Sequence, residues 1–263
     1  MPVKISIIGC GWLGAELALK LKRTDAYVVG TTTSESKKDD LENQGIEMHL
    51  YDHMKNDQFT FDLSDMDVVI YSIPPSREEP NSYLNSIKCM YDSIGHNTKV
   101  IFLSSIGVYP DHGSWNENEN LGDGSTMLKA ERIILEDENC TILRLAGLIG
   151  GRRHPIKQLQ GRSLEKNGLD LARLVHREDV IEAIMVLIKS KQKFRIIDVI
   201  YPMQITKAEY YRKMAMINEL QAPKFLISSP SNRLINSKNA SRLKGFSFQN
   251  DPMLFKFETK YQK

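Results

Sequence analysis

The chain has 263 residues, 41% of them apolar and 26% charged, with a formal net charge of +2. That is apolar material for a sizeable core, in one large α/β domain or a core with a smaller lobe. The charge balance excludes a polyanion-binding surface or an acidic tail as the main feature, and Lys37-Lys38 and Arg152-Arg153 are too short for a nucleic-acid groove.

Cys10, Cys89 and Cys140 are far apart and form no C-x-x-C pair, so neither a metal site nor a disulfide framework is indicated. No apolar run reaches the ~20 residues of a membrane span. The apolar stretch before Gly9 has the length of a strand rather than of a signal peptide. A reducing cytoplasm is the expected location.

The first predicted strand, Lys4–Gly9, runs into Gly9-Cys10-Gly11-Trp12-Leu13-Gly14. A helix follows over Leu13–Lys22, where Leu13, Leu17 and Leu21 make one apolar stripe. G-x-G-x-x-G carries little information by itself, because glycine-rich turns are common. Between a strand and a helix it reads as a dinucleotide loop. Gly9 permits the tight turn, Gly11 lets backbone approach a pyrophosphate, and Gly14 lets the helix pack close to the strand. The helix N-terminus then offers free N–H groups and partial positive charge to phosphates. The competing reading is a tight βα turn with no ligand.

Strands are predicted next at Tyr27–Thr31, Ile46–Tyr51, Val68–Ser72, Lys99–Ser104 and Thr141–Leu145, with helices about Lys37–Asn43, Ser82–Ile94 and Met127–Glu136. The alternation predicts a Rossmann-type, doubly wound parallel sheet. After Gly150 comes a basic, turn-rich connector, Gly151-Arg152-Arg153-His154-Pro155. A helix about Asp179–Ser190, a strand about Phe194–Val199 and a helix over Tyr210–Glu219 follow. The tail from Pro223 is polar, with a turn at Ser228-Ser229-Pro230-Ser231-Asn232. The expected organisation is a dinucleotide-binding core over 1–150. Residues 151–263 form a small substrate lobe that completes the core and covers the site.

An NAD site places Asp or Glu at the end of the second strand. Here that point reads Gly30-Thr31-Thr32-Thr33-Ser34, with no carboxylate. The hydroxyls, with Lys37 or Lys38, could hold a 2′-phosphate, which favours NADP over NAD. The alternative is a Thr/Ser turn whose hydroxyls satisfy a helix N-terminus. Asp52, after the third strand, is a candidate for the adenine amino group or an ordinary turn residue.

Four segments resemble a known family: Gly9–Gly14; Ser72-Ile73-Pro74-Pro75-Ser76; Phe102-Leu103-Ser104-Ser105-Ile106-Gly107-Val108-Tyr109, similar to SS-x-x-VYG; and Arg144-Leu145-Ala146-Gly147-Leu148-Ile149-Gly150, similar to RP-x-x-x-YG. Val175-His176-Arg177-Glu178-Asp179-Val180 is similar to VHVDDV. Over about residues 3–190 the chain resembles the short-chain dehydrogenase/reductase superfamily, in its extended and atypical, epimerase/dehydratase-like branch. The resemblance implies hydride transfer with a nicotinamide, a Tyr as proton donor, a Lys four residues later, and a Ser polarising the carbonyl. It places the Ser at Ser105 and the Lys at Lys129. It implies cofactor contacts at Gly9, Gly11, Trp12, Leu13, Gly14, Thr31, Thr32, Thr33, Ser34, Asp52, Ser72, Ile73, Pro74, Ser104, Lys129, Ala146, Gly147 and Leu148. Substrate contacts are expected at Pro75, Tyr109, Arg152 and His176.

The departure from the pattern lies at position 125, where the expected Tyr is Ser125. Tyr109, on the loop after the fifth strand, is the substitute acid considered first, followed by His176. His154, Asp111 and His112 read as exposed loop residues. Three functions follow: an NAD(P)-dependent reductase or epimerase of a small polar, sugar-like substrate with a non-standard proton donor; a catalytically silent dinucleotide sensor; or a structural or interaction protein with a vestigial site. By analogy with the superfamily, a homodimer would pair through the Ser82–Ile94 helix.

Overall fold

The computed structural model describes residues 1–56, 58–119, 121–122, 124–227, 233–236 and 239–257. The predicted turn at 228–232 lies outside them. In chain order the elements are β1 (Lys4–Ile8), α1 (Trp12–Lys22), β2 (Tyr27–Thr32), α2 (Glu35–Glu42), β3 (Glu47–Leu50), β4 (Val68–Tyr71), α3 (Pro80–Ser93) and β5 (Lys99–Ser105). Then come β6 (Gly113–Trp115), α4 (Thr126–Leu135), β7 (Cys140–Leu145), β8 (Gly147–Ile149), α5 (Ile156–Leu159), β9 (Ser163–Asn167), β10 (Leu174–His176) and α6 (Arg177–Lys189). The chain continues through β11 (Ile196–Val199), α7 (Lys207–Ile217), β12 (Lys224–Ile227), β13 (Arg233–Ile235) and α8 (Asn239–Arg242).

The main sheet has seven strands in the order β11-β7-β5-β4-β1-β2-β3. The pairings of β1 with β2 and β4, β2 with β3, and β4 with β5 are parallel. The reason lies in the residues. Lys-Ile-Ser-Ile-Ile, Val-Val-Ile-Tyr and Lys-Val-Ile-Phe-Leu-Ser-Ser are mostly apolar without a two-residue alternation, and nearly every residue in them is buried. Such runs suit strands covered on both faces. Strand order reverses between β1 and β4, so the loops after these two strands flank the switch point where open α/β sheets hold ligands.

The described residues group into two units by contact. The first contains Met1–Val108, Leu121–Arg144 and Ile184–Ile197; the second contains Tyr109–Asn120, Leu145–Ala183 and Asp198–Lys263. In the first, α3 and α4 pack over a core that includes Tyr71, Tyr83, Ile87, Phe102 and Ile142. The second holds three two-stranded parallel ribbons, β6–β13, β8–β10 and β9–β12. Its core is built on Ile149, Ile156, Leu174, Tyr210, Met214 and Phe255.

Helix starts shift from the predicted positions where caps intervene. Ser34 caps α2 by accepting from the Lys37 N–H, so that helix begins at Glu35. Thr206 and Glu209 form a reciprocal capping box, which starts α7 three residues before the predicted Tyr210.

Candidate dinucleotide site

The loop after β1 has the shape its three glycines predict. Gly9 has φ +104°, a conformation that disfavours a side chain, and a Cβ there would lie 2.9 Å from Ile73 Cγ1. At Gly14 a Cβ would sit 2.4 Å from the Gly9 carbonyl oxygen. At Gly11 no atom of the described residues comes within 4 Å of the position a Cβ would take. The loop is therefore tight at its two ends and open in the middle, directly at the N-terminus of α1. The backbone there is a cradle a Cβ would fill, and it suits a pyrophosphate. Leu13 is buried, anchoring the first turn of α1, while Trp12 is half-buried. Cys10 is buried in the loop with its thiol toward the Ile7 carbonyl, and burial pushes that thiol up to about 12, so no thiolate forms near neutral pH.

At the end of β2 the hydroxyls divide. Thr31 is buried; its Oγ1 accepts the Gly9 N–H at 2.9 Å and its carbonyl accepts the Cys10 N–H at 2.6 Å. Thr32 Oγ1 accepts the Ser34 N–H at 3.3 Å, and Ser34 caps α2. The expectation that these hydroxyls face a 2′-phosphate is corrected to that extent: Thr31, Thr32 and Ser34 serve backbone donors. Thr33 and Lys37 are exposed. Lys38 pairs with Glu42 at 2.9 Å. Asp52 behaves as a turn residue, accepting from the Met54 N–H at 3.0 Å with Lys55 3.4 Å away. On the β4 side, the Ser72 N–H donates to the Ile8 carbonyl at 2.8 Å, which places Ile73 against Gly9. Pro74 is exposed and Pro75 half-buried.

Behind the ends of β5 and β7 lies a buried ionic cluster that sequence reasoning missed. Arg144 holds Glu131 with both ends of its fork, Nη2 to Oε2 at 2.7 Å and Nε to Oε1 at 3.0 Å. Ser104 Oγ donates to Glu131 Oε1 at 2.5 Å. All three are buried, so Ser104, expected at the cofactor, turns its side chain into the interior instead. Ser105 is half-buried, and its Oγ accepts the Gly107 N–H at 3.0 Å. The cluster joins β5, α4 and β7, and its members lie too far apart in sequence to suggest one another.

Position 125 has a structural task. Ser125 is the N-cap of α4, its hydroxyl accepting the Leu128 N–H at 3.4 Å. Lys129 follows on the exposed side of that helix. Tyr109, expected at the mouth of a site, is buried in the second unit, and its hydroxyl donates to Asp198 at 2.7 Å. A phenol held this way keeps its proton and directs it to a buried carboxylate rather than outward. In the same unit Ala146 is buried and its N–H donates to the Val199 carbonyl at 3.1 Å. Gly147 and Leu148 open β8, which pairs with β10. Arg152 is exposed. His176 Nδ1 accepts the Glu178 N–H at 3.2 Å, so the neutral ring carries its proton on Nε2, next to Gly150.

His154 is a second correction. It is buried, not exposed: Nδ1 accepts the Ile156 N–H at 3.0 Å, Nε2 meets the Tyr210 hydroxyl at 2.8 Å, and the ring stacks on Phe255. Burial lowers its pKa to about 4, so it is neutral at physiological pH. Arg173 was also unforeseen. Burial, and then the charge of Arg233, pull its guanidinium below the usual range. Arg233 lies 3.7 Å from Asp111.

These elements define a fold, and it is the one shared by sugar-nucleotide 4-epimerases of solved structure. Among solved structures, UDP-glucose 4-epimerase from Thermotoga maritima superimposes with a TM-score of 0.76 at 15% identity, covering 96% of each chain. UDP-glucuronic acid 4-epimerase from Bacillus cereus, solved with NAD, gives 0.74 at 19% identity over 95% of each. No protein-family model matches the chain. The chain belongs to the family of Protein YeeZ of Escherichia coli strain K12, to which it is 30% identical over 97% of this chain and 99% of that one. Among the described residues, no helix is long and apolar enough to cross a membrane.

Proposed function

We propose that the protein binds NADP or NAD, with NADP preferred, and acts as a reductase or epimerase on a small polar, sugar-nucleotide-like substrate through a proton donor other than tyrosine. The observation that carries this reading is the glycine loop, closed at Gly9 and Gly14 and open at Gly11, at the switch point of the sheet. The bound dinucleotide supplies a hydride acceptor and donor. Thr33 and Lys37 are the exposed groups left to a 2′-phosphate, and the Lys37 charge is felt at Cys10, within the loop. Ser105 is the hydroxyl for a substrate carbonyl. Lys129, exposed on α4, is the cation for the nicotinamide ribose. His176, with Nδ1 fixed by the Glu178 N–H, is the group assigned to proton transfer. The neighbours' own ligands, NAD and UDP-glucose, support a sugar-nucleotide-like substrate. Three free cysteines support a reducing cytoplasm.

A second reading, a silent dinucleotide-binding sensor, is favoured by Ser125 serving as a helix cap and by the Tyr109 proton being held by Asp198. The test is a fluorescence titration of the protein with NADPH and NADH, read through Trp12 in a Trp115→Phe background, followed by NADPH consumption with UDP-sugars. Binding with turnover supports the enzyme. Binding without turnover across the screen supports the sensor. Absence of binding refutes both.

A further inference from the structure

Thr31 sits at the end of β2 with its side chain directed back at the glycine loop rather than outward, and it is 1% exposed. It engages two consecutive loop residues: Gly9 through its hydroxyl at 2.9 Å, and Cys10 through its carbonyl at 2.6 Å. The Gly11 N–H is taken by the Gly9 carbonyl at 2.8 Å. The polar hydrogens of the loop's first half are thus turned inward, and Gly9 is held at φ +104° by groups on both sides.

We infer that Thr31 is a positioning residue that clamps the loop and so sets where the open face of Gly11 and the first N–H groups of α1 meet a phosphate. The inference rests on the dinucleotide reading for its consequence in binding, though not for the clamp itself. Valine has the same shape as threonine but cannot accept the Gly9 N–H, which would then be left without its partner in a half-buried loop. An unmade hydrogen bond of this kind is costly. Residues reading a 2′-phosphate would affect NADPH alone. A clamp acts on the shared pyrophosphate and affects both cofactors equally.

The experiment compares wild type, Thr31→Val and Thr31→Ser by calorimetric titration with NADPH and with NADH, together with amide hydrogen exchange without nucleotide. Thr31→Val is expected to weaken both cofactors by a common factor of about ten, leaving the NADPH/NADH ratio unchanged. Thr31→Ser is expected to restore binding to within about threefold. The Gly9 amide is expected to be protected in wild type and in Thr31→Ser, and to exchange at least tenfold faster in Thr31→Val. Wild-type affinity in Thr31→Val, or a loss confined to NADPH, would overturn the inference. Should Thr31→Val not fold, an unprotected Gly9 amide in the wild type, or a Thr31→Ser protein that loses that protection, overturns it equally. Should the wild type bind neither cofactor, the dinucleotide reading fails, while the Gly9 amide still decides the clamp.

Discussion

In a Gly11→Ala variant the added methyl enters space where no atom of the described residues lies within 4 Å. The backbone there has φ −75°, outside the left-handed region that favours glycine. Gly11 is also the N-cap of α1, where alanine is poorer than glycine by about 0.5–1 kcal/mol. Stability should therefore fall by no more than about 1 kcal/mol, or roughly 2–4 °C in Tm for a chain of this size. Binding should respond quite differently, because the methyl occupies the approach of the pyrophosphate. Loss of two hydrogen bonds to a charged group, at about 1.5 kcal/mol each, weakens the dinucleotide about 100-fold. Gly14→Ala supplies the contrast. Its methyl would lie 2.4 Å from a backbone oxygen, about 1 Å inside the 3.4 Å where ordinary contact begins. Overpacking of that kind costs about 1–3 kcal/mol, offset by up to ~1 kcal/mol of helix propensity. Thermal unfolding without ligand and titration with NADPH and NADH measure the two effects separately. A Gly11→Ala protein that binds both cofactors as the wild type does would refute the assignment of the loop. One that is destabilised by more than about 2 kcal/mol would refute the claim that its middle is open.

Thr33→Val and Lys37→Ala should each weaken NADPH several-fold and leave NADH unchanged, measured by the same titration; equal losses would refute the 2′-phosphate assignment. Glu131→Gln keeps the shape but leaves Arg144 buried without its carboxylate, and should cost about 3–5 kcal/mol in urea unfolding, whereas Glu131→Leu with Arg144→Met should recover most of that. His154 has a folded pKa of about 4, below its ordinary 6.5, so the unfolded chain binds the extra proton. Its contribution is fully present above pH 6.5 and is lost as pH falls toward 4, by up to about 3 kcal/mol. His154→Gln should flatten that part of the stability–pH curve, and an unchanged slope would show that the ring is not held neutral. Asp198→Asn should lower thermal stability by about 1–3 kcal/mol by weakening the acceptor of the Tyr109 proton.

The main sheet was legible because its strands are buried on both faces and read as unbroken apolar runs, Val68 to Tyr71 and Val100 to Leu103 being the plainest. The ribbons of the second unit were not legible. Gly113–Trp115, Leu174–His176 and Arg233–Ile235 have three residues each, too few for a period to show, and their partners lie far away in sequence. The same distinction runs through the site. The glycine loop is local, so its geometry follows from spacing. Thr31, Glu131 and Asp198 owe their roles to partners 22, 13 and 89 residues away, which no local pattern encodes. His154 was misread because Gly-Arg-Arg-His-Pro looks like a solvated turn, while its ring is drawn in by Tyr210 and Phe255 from the end of the chain.

The chain passes from one unit to the other at Val108, Asn120, Arg144, Ala183 and Ile197. During synthesis this ordering matters. The outermost strand of the main sheet, β11, is made only after about three quarters of the protein has emerged. Until then β7 is an open edge of buried, apolar sequence, a template for pairing with another nascent chain. A premature stop before Ile196 therefore leaves a sticky, half-built sheet rather than a smaller working protein. Cells carrying such a truncation should show it in inclusion bodies or bound to chaperones, with no dominant effect from a free nucleotide-binding fragment.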